Sequence, residues 1–188
     1  MSDLPSPLAA LVYDDSHDPD ALLRAFAAGL NGQGLRAVGL VQLGHRDHDV
    51  PKLNAVLLHS GEQIRLFQDL GPGATGCKLD VGQLLDAGSR VADAMDAGAD
   101  LVIINRFGKQ EREGKGLAYL IERALSDAIP VVIAVPSQQL DEWTAFAGGM
   151  SVNLACSRAA LDAWWWAVSR GGGAVAEPVQ QNFRAEVT

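Results

Sequence analysis

The chain has 188 residues, 48% of them hydrophobic and 20% charged, with a formal net charge of −8 at pH 7 and a pI near 4.8. That length suits one domain with a sizeable core, and the acidic balance argues against general nucleic-acid or anionic-membrane binding, which needs a basic face. The two cysteines, Cys77 and Cys156, lie far apart and make neither a disulfide framework nor a zinc knuckle. No apolar run is long enough to span a bilayer and MSDLPSP is not a signal peptide, so the expectation is a cytoplasmic protein without membrane insertion.

Leu8 to Tyr13 (LAALVY) reads as a buried strand, followed by the turn-forming DDSHDPD. Asp18 or a neighbour caps the next helix, Pro19 suits its first turn, and Ala21 to Leu30 forms its body, ended by Asn31-Gly32. Leu35 to Leu43 is a second strand, and GHRDHDVPK a polar loop. Asn54 to Ser60 and Gln63 to Asp69 flank Gly61-Glu62 and predict a β-hairpin. After the loop GPGATG, Gly82 to Ala97 carries Leu84, Leu85, Val91 and Met95 at helical spacing, stopped by Gly98. Asp100 to Asn105 (DLVIIN) suits a central parallel strand, and RFGKQEREGKG after it a charged, glycine-rich loop. Leu117 to Ser126 is a helix and Pro130 to Val135 a strand. A short helix from Pro136 and Ser137 carries Trp143 and Phe146 and ends at Gly148-Gly149. Val152 to Ala155 is a candidate last strand, and Ala159 to Val168 a final helix bearing Trp164, Trp165 and Trp166.

This order predicts an α/β three-layer sandwich on a mainly parallel sheet, with right-handed crossovers and a β-hairpin insertion. Residues 1–170 make one α/β domain, and 171–188 a flexible or partner-dependent tail. Ligands in such folds sit at the carboxyl ends of the strands, which singles out Asp14 to Asp20, Asn105 to Gly116 and Pro136 to Gln139.

Within Asn105 to Gly116, Arg106, Lys109, Arg112 and Lys115 crowd behind one buried strand, among Gly108, Gly114 and Gly116. In an acidic protein this local excess of cations points to an anion site, and a solvated loop with glycine turns is the competing reading. DDSHDPD occupies the place of a phosphate loop but lacks its glycines and lysine. Asp14, Asp15, Asp18 and Asp20 would repel phosphate; they suit a hard cation or, more simply, an acidic turn and helix cap. In Gly76 to Asp80 (GCKLD), Lys78 offers a further cation, Asp80 a helix cap, and Cys77 either a lowered pKa or a buried, inert thiol. The histidines lack metal-ligand spacing, with His45 and His48 in a polar loop. The aromatic group of Trp143, Phe146 and Trp164 to Trp166 suits core or interface better than a stacking platform.

GCKLD, DLVIINRFGKQEREGKGL and IPVVIAVPSQQLDEWTAFAGG resemble a bacterial family catalogued as a domain of unknown function and often encoded near molybdate-uptake genes. The resemblance runs from LVYDD to about Trp166, and the N-R-F-G-K-x-E-x-E-G string is its most specific part. The chain is more distantly similar to the thermophile-type P-loop nucleoside-triphosphatases, whose fold includes a comparable hairpin. There, Asn105 and Arg106 stand at the two Walker B acids, with Gly108 and Glu111 at the later glycine and glutamate. The loss of the phosphate loop and of those acids leaves degenerate Walker motifs, without the usual groups for phosphate cradling, Mg²⁺ placement and water activation.

The resulting expectation is a non-hydrolytic binding protein for a small oxyanion, molybdate or tungstate first, or for a phosphate-bearing ligand. The molybdenum link comes from the resemblance. Arg106, Lys109 and Lys78 would hold the anion and Asn105 would orient it; Glu111 and Glu113 would fix the cations, and Asp14 and Ser16 complete the candidate ligand-binding set. No catalytic residue or metal ligand is assigned and no cofactor is named. A divergent nucleoside-triphosphatase using Asp14 or Asp80 for a metal, and a structural or regulatory partner of a molybdate transport system, are the alternatives. The partners expected are the small ligand and possible further copies of the chain, not nucleic acid.

Overall fold

The apolar runs of the sequence line up as strands of one sheet. The computed structural model describes residues 5–43, 54–66, 72–73 and 79–171. In chain order these form β1 (Leu8–Tyr13), α1 (Pro19–Gly32), β2 (Ala37–Leu43), β3 (Asn54–Leu57), β4 (Gln63–Arg65), α2 (Val81–Asp96) and β5 (Leu101–Asn105). There follow α3 (Lys109–Arg112), α4 (Ala118–Ser126), β6 (Val131–Pro136), a 3₁₀ turn (Ser137–Gln139), α5 (Leu140–Ala147), β7 (Ser151–Ala155) and α6 (Arg158–Gly171). The strand order is β4-β3-β2-β5-β6-β1-β7. β2, β5, β6, β1 and β7 run parallel, and the β3–β4 hairpin joins the edge of β2 antiparallel.

Period-two alternation splits the core between two faces. Leu8 and Ala10 of β1 face a layer that includes Leu84 and Val91 of α2, Leu120 and Ile121 of α4, and Trp143 of α5. Ala9, Leu11 and Tyr13 face Leu23, Phe26 and Leu30 of α1 and Leu161 and Trp164 of α6. The fold is thus the three-layer α/β sandwich expected, with the hairpin extending its sheet. Gly39 is required where β2 meets β5: its φ is +142°, and a β carbon there would fall 1.9 Å from the Ile103 carbonyl oxygen.

Several boundaries differ from the sequence reading. α1 opens as expected, with the Asp18 side chain accepting from the Ala21 N–H (3.0 Å) and Pro19 in the first turn, but it runs through Asn31 to Gly32. The hairpin strands are shorter than predicted. After Leu57 the chain turns, with the Gly61 N–H donating to the Leu57 carbonyl (2.8 Å) and the Leu58 N–H to Gly39 (2.9 Å). The charged loop behind β5 contains the single helical turn α3, and α6 runs on to Gly171. Residues 67–69 of the hairpin, His45, His48, Cys77, Lys78 and the tail from 172 lie outside the described residues. Among the described residues no helix is long and apolar enough to cross a membrane.

Candidate functional site

β5 is buried along its whole length and carries Asn105 to the carboxyl edge of the sheet, in register with Ala134 of β6. The following Phe107 fixes the exit of the chain. Its N–H donates to the Ala134 carbonyl (2.9 Å), and its buried ring packs edge-to-face on Trp143 at 5.1 Å and against Phe146 at 5.5 Å. Trp143 and Phe146 therefore serve the core, and they hold Arg106 and Gly108 on either side of an immobile anchor.

On one side of this edge lies a polar knot. Asp20, in the first turn of α1, is buried, as is Asn105. The Asn105 amide Nδ2 donates to Asp20 Oδ1, and Arg106 brings a guanidinium nitrogen to 3.5 Å from the same oxygen. Arg106 also lies over the Tyr13 ring, 5.6 Å from its centroid. Burial pushes the Tyr13 hydroxyl above its usual pKa, with Arg106 opposing. Since Nδ2 faces the Asp20 carboxylate, Asn105 Oδ1 points elsewhere; it is buried and has no hydrogen-bond partner among the described residues.

On the other side, Glu111 organises the loop. Its Oε2 accepts from the Gly108 N–H (3.1 Å) and its Oε1 from the Leu117 N–H (3.2 Å). It therefore closes the segment from Gly108 to Leu117 into a ring around α3. Burial raises its pKa, against these backbone bonds. Gly116 takes φ +58°, and a β carbon there would meet Glu111 Oε1 at 2.6 Å.

Between these two constructions is a cleft of about 250 Å³. Gln42, Asn105, Arg106, Lys109 and Gln110 supply its polar groups, and Leu79, Leu84 and Leu117 an apolar wall. Lys109 is exposed and makes no ion pair among the described residues.

The fold brings Asn105, Arg106, Lys109 and Glu111 of the candidate set together at this cleft. The role expected of Glu111 is corrected, whereas Glu113 does pair with a cation of the loop, Lys115. Glu111 binds backbone amides rather than a cation, and exposed Glu113 lies 3.7 Å from Lys115, away from the cleft. Asp14 and Ser16 do not line it either. Ser16 gives its N–H (2.9 Å) and hydroxyl (2.5 Å) to Asp14 Oδ1, and His17 Nδ1 lies 2.8 Å from that oxygen. The Ser16 bonds first, then His17, hold the Asp14 carboxyl below its usual pKa. Asp80 caps α2 by accepting from the Gln83 N–H (3.1 Å). Among the described residues no three acids, histidines or cysteines cluster to hold a metal ion. Burial first, then the carboxylates of Asp18, Asp14 and Asp20, push the Cys156 thiol up to about 11. Sequence reasoning missed Tyr13, Gln42 and Gln110, and it took Asp20 for part of an acidic turn.

The architecture is shared with a solved nucleoside triphosphatase. A solved structure described as the solution structure of a human cancer-related nucleoside triphosphatase superposes with a TM-score of 0.58 and 14% identity, covering 87% of this chain and 95% of that one. That likeness concerns the fold. The chain itself belongs to the family described as "Protein of unknown function (DUF2478)", whose model matches residues 8–164. It is also 39% identical over 163 residues to a Bradyrhizobium diazoefficiens protein named molybdenum import ATP-binding protein ModC 2. The match covers 86% of this chain and 18% of that relative, so the chain spans under a fifth of the relative's length.

Proposed function

We propose that the chain binds a small oxyanion or a phosphate-bearing ligand in the cleft behind β5, without hydrolysing a nucleotide. The observation that carries this reading is the convergence of Arg106 and Lys109 on one cleft where Glu111, the single lining acid among the described residues, is already occupied by backbone amides. Arg106 offers a planar fork and Lys109 a mobile point charge, with the amides of Gln42 and Gln110 able to donate to further oxygens. The absence of hydrolysis follows from the β1–α1 turn, DDSHDPD, which has no glycine or lysine to cradle phosphates. The name of the 39% identical relative supports a role in molybdenum metabolism and keeps molybdate among the ligands to test.

A second reading, a structural or regulatory partner of a molybdate transport system, draws on the name of that relative, of which the chain matches 18%. Titration calorimetry of the full chain against molybdate, phosphate and Mg²⁺–ATP tests the proposal. Saturable binding of an oxyanion, lost in Arg106→Ala, supports it. Heat with none of the three ligands sinks it and leaves the regulatory reading.

A further inference from the structure

The cleft is two-sided, and its second side has no use for a bare oxyanion. Leu79, Leu84 and Leu117 line the same cleft as Arg106 and Lys109. Leu84 and Leu117 are core residues, while Leu79 is half-buried. A tetrahedral oxyanion has five non-hydrogen atoms. The cleft's 250 Å³ corresponds to about eight water molecules at about 30 Å³ each. An anion held by Arg106 and Lys109 would therefore leave the leucine wall against water. The same cleft is lined by Asn105, whose buried Oδ1 is an acceptor without a partner among the described residues. A fully deprotonated oxyanion brings only further acceptors to it.

Resting on the anion-binding reading above, we infer that the cleft is built for an organic phosphate: a phosphoryl group for Arg106 and Lys109, joined to an apolar body that covers Leu79, Leu84 and Leu117. A hydrogen-bond donor on that body meets Asn105 Oδ1. On the same two helices, Val81 and Leu85 of α2 and Tyr119 of α4 are exposed large apolar side chains. The Tyr119 hydroxyl lies over Gly88, 2.9 Å from where its β carbon would be, so the two helices present one surface there.

Calorimetry with inorganic phosphate, molybdate and phenyl phosphate tests this on the full chain. Removing about 60 Å² of apolar surface from water is worth about tenfold in affinity, so phenyl phosphate should bind at least about tenfold tighter than inorganic phosphate. Leu79→Asn should remove most of that difference, whereas Arg106→Ala should weaken inorganic phosphate and phenyl phosphate alike. A series of ethyl, butyl and hexyl phosphates gives the same information without a variant, with affinity rising about threefold to fourfold per methylene while the wall is being covered. Equal affinity for phosphate and phenyl phosphate, a flat alkyl series, or a preference that survives in Leu79→Asn would overturn the organic-phosphate inference while leaving oxyanion binding in place. Binding of none of these anions would overturn both together.

Discussion

Arg106 and Asp20 face each other at 3.5 Å, joining the end of β5 to the first turn of α1. The pair gives Arg106 two duties, since the guanidinium that would meet an anion also neutralises a buried carboxylate. Arg106→Ala should therefore weaken oxyanion binding about tenfold to a hundredfold, the ~1.5–3 kcal/mol of one charge-assisted donor. It should also lower the melting temperature, because Asp20 stays buried without that cation. Adding Asp20→Asn should restore much of the stability, since an asparagine oxygen can still accept from Asn105, and should not restore binding. Thermal melts and calorimetry on the single and double variants check this. Recovery of affinity in the double variant would count against direct contact between Arg106 and the ligand.

Glu111→Gln should destabilise the chain by about 1–3 kcal/mol, because an amide offers one acceptor where two backbone N–H groups need one each. Gly116→Ala should be comparably costly, combining a left-handed φ with a β carbon 2.6 Å from the carboxylate. The pH dependence has a definite sign. Burial raises the folded pKa of Glu111 above the ordinary glutamate value, so the folded chain holds this proton more tightly than the unfolded one. Its contribution to stability is complete below the ordinary value and is lost as pH rises through the folded one. Denaturant melts should show that decline in the wild type and not in Glu111→Gln.

Much of this architecture is legible in local sequence. LVIIN and VVIAV read as buried strands because unbroken apolar runs of that length suit a sheet covered on both faces. The cleft is legible only in part. Arg106 and Lys109 stand out as cations behind a strand, but Asp20 lies 85 residues from Asn105 and meets it only through the crossover. Glu111 is misread for a related reason: a carboxylate flanked by lysines and arginines looks like an ion-pair partner, and nothing local reveals that the chain folds back to offer it two amides.

The full chain should hydrolyse Mg²⁺–ATP and Mg²⁺–GTP more slowly than about 1 s⁻¹, below ordinary enzymes. The carboxylate of Asp14 is occupied by Ser16 and His17, and that of Asp20 by Asn105 and Arg106, so these two acids are engaged within the protein. A phosphate-release assay checks this. Faster magnesium-dependent turnover that disappears in Arg106→Ala would make the chain a nucleoside-triphosphatase instead.

The three consecutive tryptophans of α6 should behave as three different residues. A helix turns about 100° per residue, so one core face cannot take all of them. Trp164 faces inward, 5% exposed, with its indole N–H donating to the Ser6 carbonyl at 2.9 Å. Trp165 is half-buried. Trp166 is 60% exposed, and the Arg170 guanidinium lies 4.3 Å over its ring. Trp164→Ala should therefore cost about 3–5 kcal/mol, and Trp166→Ala about 0.5 kcal/mol or less. Iodide should quench Trp166 readily and leave Trp164 and buried Trp143 protected. An exposed indole on a helix face also suits a contact between copies of the chain, and such a contact would make the quenching of Trp166 fall as protein concentration rises, with a matching shift in sedimentation. A monomer at every concentration, with Trp166 quenched throughout, would remove self-association through this face while leaving the stability difference between the two variants to be measured on its own.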